Sequence, residues 1–406
     1  MSAVAEAMAE PLAGDRLARR NALVLAATQA LAGGNNTVLV ATAGIVGTTL
    51  APDRGLATLP ISIFVLGLWL GTLPTGALAR RFGRRNALQI GTACGVLAGL
   101  ICCLAVLQGS FLLFNVGAVF SGLYASAHQS YRFAAADTAS EAFRPRVISL
   151  VLLGGVLAGI IGAQLVIATQ NLWPPYLFAA TYIGQSALAL ISAGVLMFVN
   201  IPKPPPRSSV GDGRPLLEIA RQPRFIVAVA CGVAAYSMMN MVMTSAPLAM
   251  VMCNHSITDA TLGLQWHVLG MYAPSLATGA LVVRFGLARV TGLGLALILV
   301  AAAIGIGGIS LWHFWIGLAL LGVGWNFAFI GATTMVTACH RPSERNKVQA
   351  FNDFLVFGSM AIGSFSSGQL LASFGWTMVN EVVFPVVLAA GALLVWSVLR
   401  ARTRFA

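Results

Sequence analysis

Charge is what this sequence has least of. Only 9% of its 406 residues are charged and 58% are apolar, whereas a soluble domain carries ~25% charged residues. A chain so built cannot cover itself with hydrated side chains. Soluble enzyme, coiled coil, collagen and disordered tail are all excluded on that count. Cysteine is sparse too: Cys94, Cys102, Cys103, Cys231, Cys253 and Cys339 form no CxxC pair, so neither a disulfide framework nor a zinc site is indicated. Also missing are a Walker-type phosphate loop, a nucleophile elbow and an acid pair at glycosidase spacing. No segment is long enough for the soluble nucleotide domain of an ATP-driven pump. Residues 1–20 lack a short apolar core with a cleavage site, so no cleavable signal is expected.

What is present is a series of long apolar runs, near 21–49, 56–79, 86–107, 110–135, 147–170, 175–200, 225–250, 260–283, 290–308, 311–337, 348–374 and 377–399. A helix needs ~20 apolar residues to cross a bilayer, so the sequence predicts an all-α membrane protein of twelve transmembrane helices. The polar stretch 201–223, opening Ile-Pro-Lys-Pro-Pro-Pro-Arg, divides them six and six. The expected organisation is an N-terminal bundle over 1–200, a cytoplasmic linker over 201–223 and a C-terminal bundle over 224–406. With the N-terminus in the cytoplasm, 22 of the 24 Lys and Arg fall on that side or in its loops. The exceptions are Arg54, outside, and Arg132, within span four. That is the positive-inside bias: the net charge of +12 reports orientation, with both termini cytoplasmic, and not a nucleic-acid partner.

The chain also repeats itself at half its length. Residues 75–83 read Thr-Gly-Ala-Leu-Ala-Arg-Arg-Phe-Gly and residues 278–286 read Thr-Gly-Ala-Leu-Val-Val-Arg-Phe-Gly. A weaker echo at the same offset pairs Glu141 with Glu344. Two parallel six-span repeats describe one transporter architecture. The stretch Gly76-Ala77-Leu78-Ala79-Arg80-Arg81-Phe82-Gly83-Arg84-Arg85 resembles the loop signature that follows the second span in the major facilitator superfamily. That resemblance implies two pseudo-symmetric six-helix bundles working by alternating access. It departs at Arg80, where the family usually has an Asp that latches the bundles on the cytoplasmic side. Gly154, Gly155, Gly159 and Gly162 in span five loosely resemble a glycine-rich antiporter motif without its proline, and equally suit plain helix packing.

Span seven is rich in methionine: Met238, Met239, Met241, Met243, Met250 and Met252 are six of the chain's thirteen. Methionine is a common core filler, but the spacing is specific. Met239 and Met243 share a helix face, as do His267 and Met271 on span eight. In a regular hairpin, Met243 lies level with His267 and Met239 with Met271, at ~10 and ~16 Å from the outer edge. Three thioethers and an imidazole form a soft, neutral set suited to Cu(I). The pattern MxxxM on span seven with HxxxM on span eight resembles the CcoA-like (CalT family) copper importers of the superfamily. That resemblance implies import of copper across a bacterial inner membrane for cbb3-type cytochrome oxidase. No permanent cofactor is implied, copper being the cargo. A cytoplasmic copper chaperone or an exporting copper ATPase would be a partner, and a monomer the working unit. Flavin transporters are close relatives that lack the four residues. The competing expectation is therefore a proton-coupled carrier or exporter of a small organic solute such as riboflavin.

Other polar residues fall in or beside spans. Cys253 and His255, in the loop after span seven, are a candidate capture point. Asn35 and Asn36, midway along span one, and Asn240 on span seven are candidates for the cavity rim or for helix ties. Arg80, Arg81, His128, Arg132, Asp137 and Asp353 are candidates for a gate or for proton coupling. Within that group, Asp353 is the expected partner of Arg80, with Asp137 as the competitor.

Overall fold

The computed structural model describes residues 15–140, 143–201, 213–341 and 344–403. Its long helices are α1 (Arg16–Leu50), α2 (Leu59–Phe82), α3 (Arg84–Gln108), α4 (Phe111–His128), α5 (Arg144–Thr169) and α6 (Ala179–Leu196). The second set is α7 (Pro223–Met252), α8 (Ile257–Tyr272 and Ser275–Phe285), α9 (Leu287–Gly307), α10 (Leu311–Thr337), α11 (Arg345–Glu381) and α12 (Val383–Thr403). Residues 202–212 of the linker expected over 201–223 lie outside the described residues, as do the first fourteen residues and Glu141.

Two helices differ from the single spans read in the sequence. Span eight is broken by Pro274, and its two pieces meet at 43°. Proline removes a ladder donor and crowds the preceding turn. The carbonyl groups this frees need partners where no water reaches. Asn326 of α10 supplies one, donating to Met271 O at 2.6 Å and to Ser275 Oγ at 2.7 Å while accepting from Thr278 Oγ1. The second is α11, which is interrupted at Gly375 (φ 79°, ψ −175°). Gly83 and Gly286 hold nearly the same backbone state, and both sit at one-residue reversals, between α2 and α3 and between α8 and α9. Only glycine enters that region without strain. The chain reverses at Gly375 as well. Trp376 stacks obliquely on Phe314 at the start of α10, whereas Ala390 O lies against Cys231, early in α7. The eleventh and twelfth spans therefore meet at Gly375, giving twelve in all.

Exposure follows from the solvent. Between its polar ends, α3 exposes Ile90, Leu97, Leu100, Leu104 and Leu107, an apolar stripe. Gly91, Gly95 and Gly99 form the opposite face and bring α3 against Ala127 and Tyr124 of α4 and Ser186 of α6. A lipid-facing stripe backed by a small-residue face is how helices associate where lipid is as apolar as leucine.

The basic loops all lie at one face. There Arg84 pairs with Asp137, and Glu344, its side chain fully buried, accepts from Arg214 Nε, Nη2 and N and from Arg341 N at 2.8–2.9 Å. This fixes residues 213–214, which lead into α7, against the turn between α10 and α11.

At the opposite, far face the two bundles are joined. Gln170 donates to Thr258 Oγ1, Gln164 to Gln265, Ser62 shares a hydrogen bond with Ser364, and Gly368 abuts Thr58. Toward the basic face, among the described residues, Trp69 meets Phe354, Gly155 meets Tyr272, and Ser275–Phe285 still approaches α5. The molecule is thus closed at the far face.

Candidate functional site

A cavity of about 120 Å³ lies between the bundles at mid-depth. The N-terminal bundle lines it with Gln29, Asn36, Thr37, Phe64, His128 and Gln129. The C-terminal bundle contributes Tyr236, Met239, Asn240, Met243, Met271 and Tyr272. It is smaller than the ~300–1,000 Å³ of ordinary ligand pockets, so a solute of several rings requires the bundles to part.

The two walls differ in chemistry. The N-terminal wall carries most of the polar groups, among apolar ones such as Val40, Val65 and Leu68: α1 brings Asn36 and α4 ends on His128, with Asn36 Nδ2 and His128 Nε2 2.7 Å apart. The opposite wall is aromatic and thioether. Tyr236 is held edge-on by Trp325, Phe329 and Phe357 at 4.9–5.7 Å between ring centroids, so its ring is fixed. Met239 and Met243 project beside it from the same helix, as the four-residue spacing requires. Thioethers are polarizable and pack well against aromatic rings, which makes this wall a surface for a flat ring system.

Of the four expected copper ligands, Met239, Met243 and Met271 do line one cavity. His267 does not. Its ring turns to α10, where Nδ1 lies 2.9 Å from Leu318 O. Its Nε2 is buried without a hydrogen-bond partner. Depth along a hairpin is readable from spacing; azimuth is not, because α8 packs mainly against α10 and α5 rather than face to face with α7.

The remaining expectations sort as follows. Cys253 closes α7 at the far face, and His255 contacts Ile309 O at 2.8 Å and the Phe314 ring; neither reaches the cavity. Asn35 points away from it and exchanges hydrogen bonds with Gln185 of α6, donating to its carbonyl and accepting from its amide. It is a helix tie, whereas Asn36 and Asn240 are cavity residues. The side chain of Arg80 lies outside the described residues, and the Arg81 guanidinium lies over Phe82. Asp137 is engaged by Arg84, and Asp353 accepts from Asn352 at 3.1 Å. Arg132 lies on the short helix Tyr131–Ala136 that follows α4. Sequence reasoning missed Tyr236 and its aromatic collar, and also Asn326 behind Met271. Residues 325–329 read Trp-Asn-Phe-Ala-Phe, a polar residue among aromatics within a span, and that was the available signal.

Comparison with known proteins bears on what passes through. Residues 25–273 match the model of the Major Facilitator Superfamily. The chain is 49% identical over 372 residues to the riboflavin transporter RfnT of Brucella anthropi, covering 91% of this chain and 94% of that one. It is 30% identical over 370 residues to the uncharacterized transporter YddS of Bacillus subtilis, covering 83% of each chain. With YdeG of the same organism, also uncharacterized, it shares 27% over 406 residues, 94% of this chain and 92% of that one. The first of these relatives overturns the expectation of copper import. With it go the copper cargo, its delivery toward cytochrome oxidase, and the copper chaperone or exporting ATPase as partners. The methionine pattern that suggested copper lines the cavity, and His267 is not part of that lining. The family match and the near full-length relatives agree with the twelve helices in two bundles: this chain belongs to the Major Facilitator Superfamily and is a multi-pass membrane transporter, not an enzyme.

Proposed function

We propose that this protein carries a flavin, riboflavin foremost, across the inner membrane of a bacterium. The observation that carries the reading is the 49% identity to a riboflavin transporter over nine-tenths of the chain. The cavity supports it, having aromatic and thioether groups on one wall and amide and imidazole groups on the other. A neutral tricyclic ring with a polar edge needs both. In this reading the basic face is cytoplasmic, by the distribution of Lys and Arg. The bundles on either side of the 201–223 linker are the two moving bodies, and one chain is a complete pathway. Arg132 and Asp353, drawn from opposite bundles, are the candidates for a gate toward the basic face. His128 and Asp353 are the candidates for proton coupling.

Proteoliposomes holding the purified protein test the proposal. Uptake of radiolabelled riboflavin that saturates, and that unlabelled riboflavin competes away, is the expected result. Uptake no greater than in empty liposomes, with and without an imposed proton gradient of either sign, overturns it.

A further inference from the structure

Along the seam between the bundles, α2 and α11 flank a slot that faces the lipid. Its volume is about 750 Å³, with Ile63 and Leu66 on one wall and Ala361, Ile362 and Phe365 on the other. The two helices touch at both ends of it. At the far end Ser62 bonds Ser364 and Gly368 abuts Thr58. At the inner end Trp69 lies over Gly358 and meets the Phe354 ring at 5.0 Å between centroids. Leu66, Ile362 and Phe365 are 37%, 70% and 48% exposed, so the slot opens outward. The central cavity is lined by other residues of the same two helices, Phe64, Val65, Leu68 and Met360.

Length and chemistry choose the occupant. From Leu59, where α2 begins, to Trp69 is ~15 Å at 1.5 Å per residue. The hydrocarbon core is ~30 Å thick, so the slot is one leaflet deep and ends at the bilayer middle. A transmembrane helix runs the full thickness and is stopped at Trp69–Phe354; a lipid chain ends where the slot does. Water is no better suited. The two hydroxyls of the lining, on Ser62 and Ser359, already hold hydrogen bonds with Ser364, Ser237 and Leu355 O, and a buried water needs ~2–4 polar partners. Hydrocarbon packed on both walls recovers dispersion contacts that an unfilled slot forfeits.

We propose that one acyl chain of a far-leaflet phospholipid lodges in this slot and favours the arrangement in which the far face is closed. The chain touches both moving bodies at once. Parting the far ends of α2 and α11 breaks the Ser62–Ser364 and Gly368–Thr58 contacts and draws the walls apart, so the chain loses one of them. A ligand that binds one arrangement better shifts the population toward it. The site does not depend on what the central cavity carries.

The test uses the full chain in phosphatidylcholine nanodiscs, with part of the lipid brominated near the end of one acyl chain, where bromine quenches tryptophan on contact. Emission of Trp69 is the difference between wild type and Trp69→Phe. Ala361→Phe and Gly358→Leu each put a side chain into the slot; a Cβ at Gly358 meets the Trp69 ring at 3.8 Å, an ordinary contact. Either filling should at least halve the quenching of Trp69, while the other tryptophans, seen alone in the Trp69→Phe background, are quenched as before. Ile362→Ala trims an exposed edge of the slot and weakens its grip. With spin labels at Leu172 and Met252, exposed on opposite bundles, it should raise the far-open population about two- to fivefold. Quenching of Trp69 unchanged in both folded filled variants overturns the occupancy. A distance distribution unmoved in folded Ile362→Ala overturns the hold on the far-closed arrangement. Trp69 shielded from brominated lipid in a wild type that runs as a dimer gives the slot to a second copy, and overturns the proposal as well.

Discussion

The contact between Gly368 and Thr58 offers a way to tip the conformational equilibrium with one carbon atom. A methyl group at Gly368 would lie 1.9 Å from Thr58 Oγ1, 3.1 Å from its Cβ and 3.4 Å from its Cγ2. Optimal carbon contacts are ~3.5–4.0 Å. Turning the hydroxyl aside relieves only the first of the three, and Thr58 is 1% exposed, so it has no open side to turn to. Overpacking of this kind costs ~1–3 kcal/mol. Gly368 is on α11 and Thr58 precedes α2, so they belong to opposite bundles, and the cost falls only on the arrangement in which the far face is closed. At ~1.4 kcal/mol per factor of ten, Gly368→Ala should favour the far-open arrangement by roughly 5- to 150-fold. Spin labels at Leu172 and Met252, exposed at the far face on opposite bundles, would report it as a longer distance population. Adding Thr58→Ala removes Oγ1 and Cγ2 and should restore the wild-type distribution. A distance distribution unchanged in folded Gly368→Ala refutes the assignment of this contact as the far-side seal.

Three further outcomes follow from the same geometry. His267→Ala should lower the melting temperature, through the lost contact to Leu318 O worth about 1 kcal/mol and the void it leaves. The half-saturating riboflavin concentration should not move, whereas Met243→Ala should raise it; a rise in both variants would return His267 to the cavity. The Arg84–Asp137 pair has side chains 26% and 39% exposed, so a double-mutant cycle on thermal stability should give a coupling of ~0–1 kcal/mol that fades with salt. Hydrogen bonds from Arg214 and Arg341 hold the Glu344 carboxyl well below the usual carboxylate range. A depressed folded value means the stabilisation is present above the ordinary carboxylate pKa and lost as pH falls toward the folded one. Wild type should therefore out-melt Glu344→Gln at neutral pH, and the gap should narrow on acidification. A gap that widens in acid contradicts the charge-assisted clamp.

Much of the fold was legible because its two determinants are local. Span length follows from bilayer thickness, and the division into two halves from the repeat at half length. The turn that repeats at 75–83 and 278–286 even reappears as a shared backbone angle at Gly83 and Gly286. The site was legible in part. That Met239, Met243 and Met271 share a cavity was readable from helical spacing and hairpin depth. What went unread was which neighbour each helix faces. With α10 beside α8, His267 Nδ1 meets Leu318 O and the residue is not part of the cavity lining. Arg80 was singled out for lacking the family's acid, and its side chain lies outside the described residues; among those described, Arg84, four residues on, pairs with Asp137. A tertiary pairing between residues fifty apart in sequence has no periodic signature to betray it.

The one-residue reversals at Gly83 and Gly286 have a mechanical consequence. With no slack between them, α2 cannot tilt without levering α3, nor the second piece of α8 without levering α9. Those two partners carry exposed apolar side chains along their length, Leu97 and Leu104 on one and Leu293 and Val300 on the other. Each stroke at the centre of the molecule is thereby geared to its rim, where it must push acyl chains aside. The membrane is then a load on the engine as well as its housing, and turnover inherits a dependence on bilayer stiffness and thickness that no cavity residue imposes.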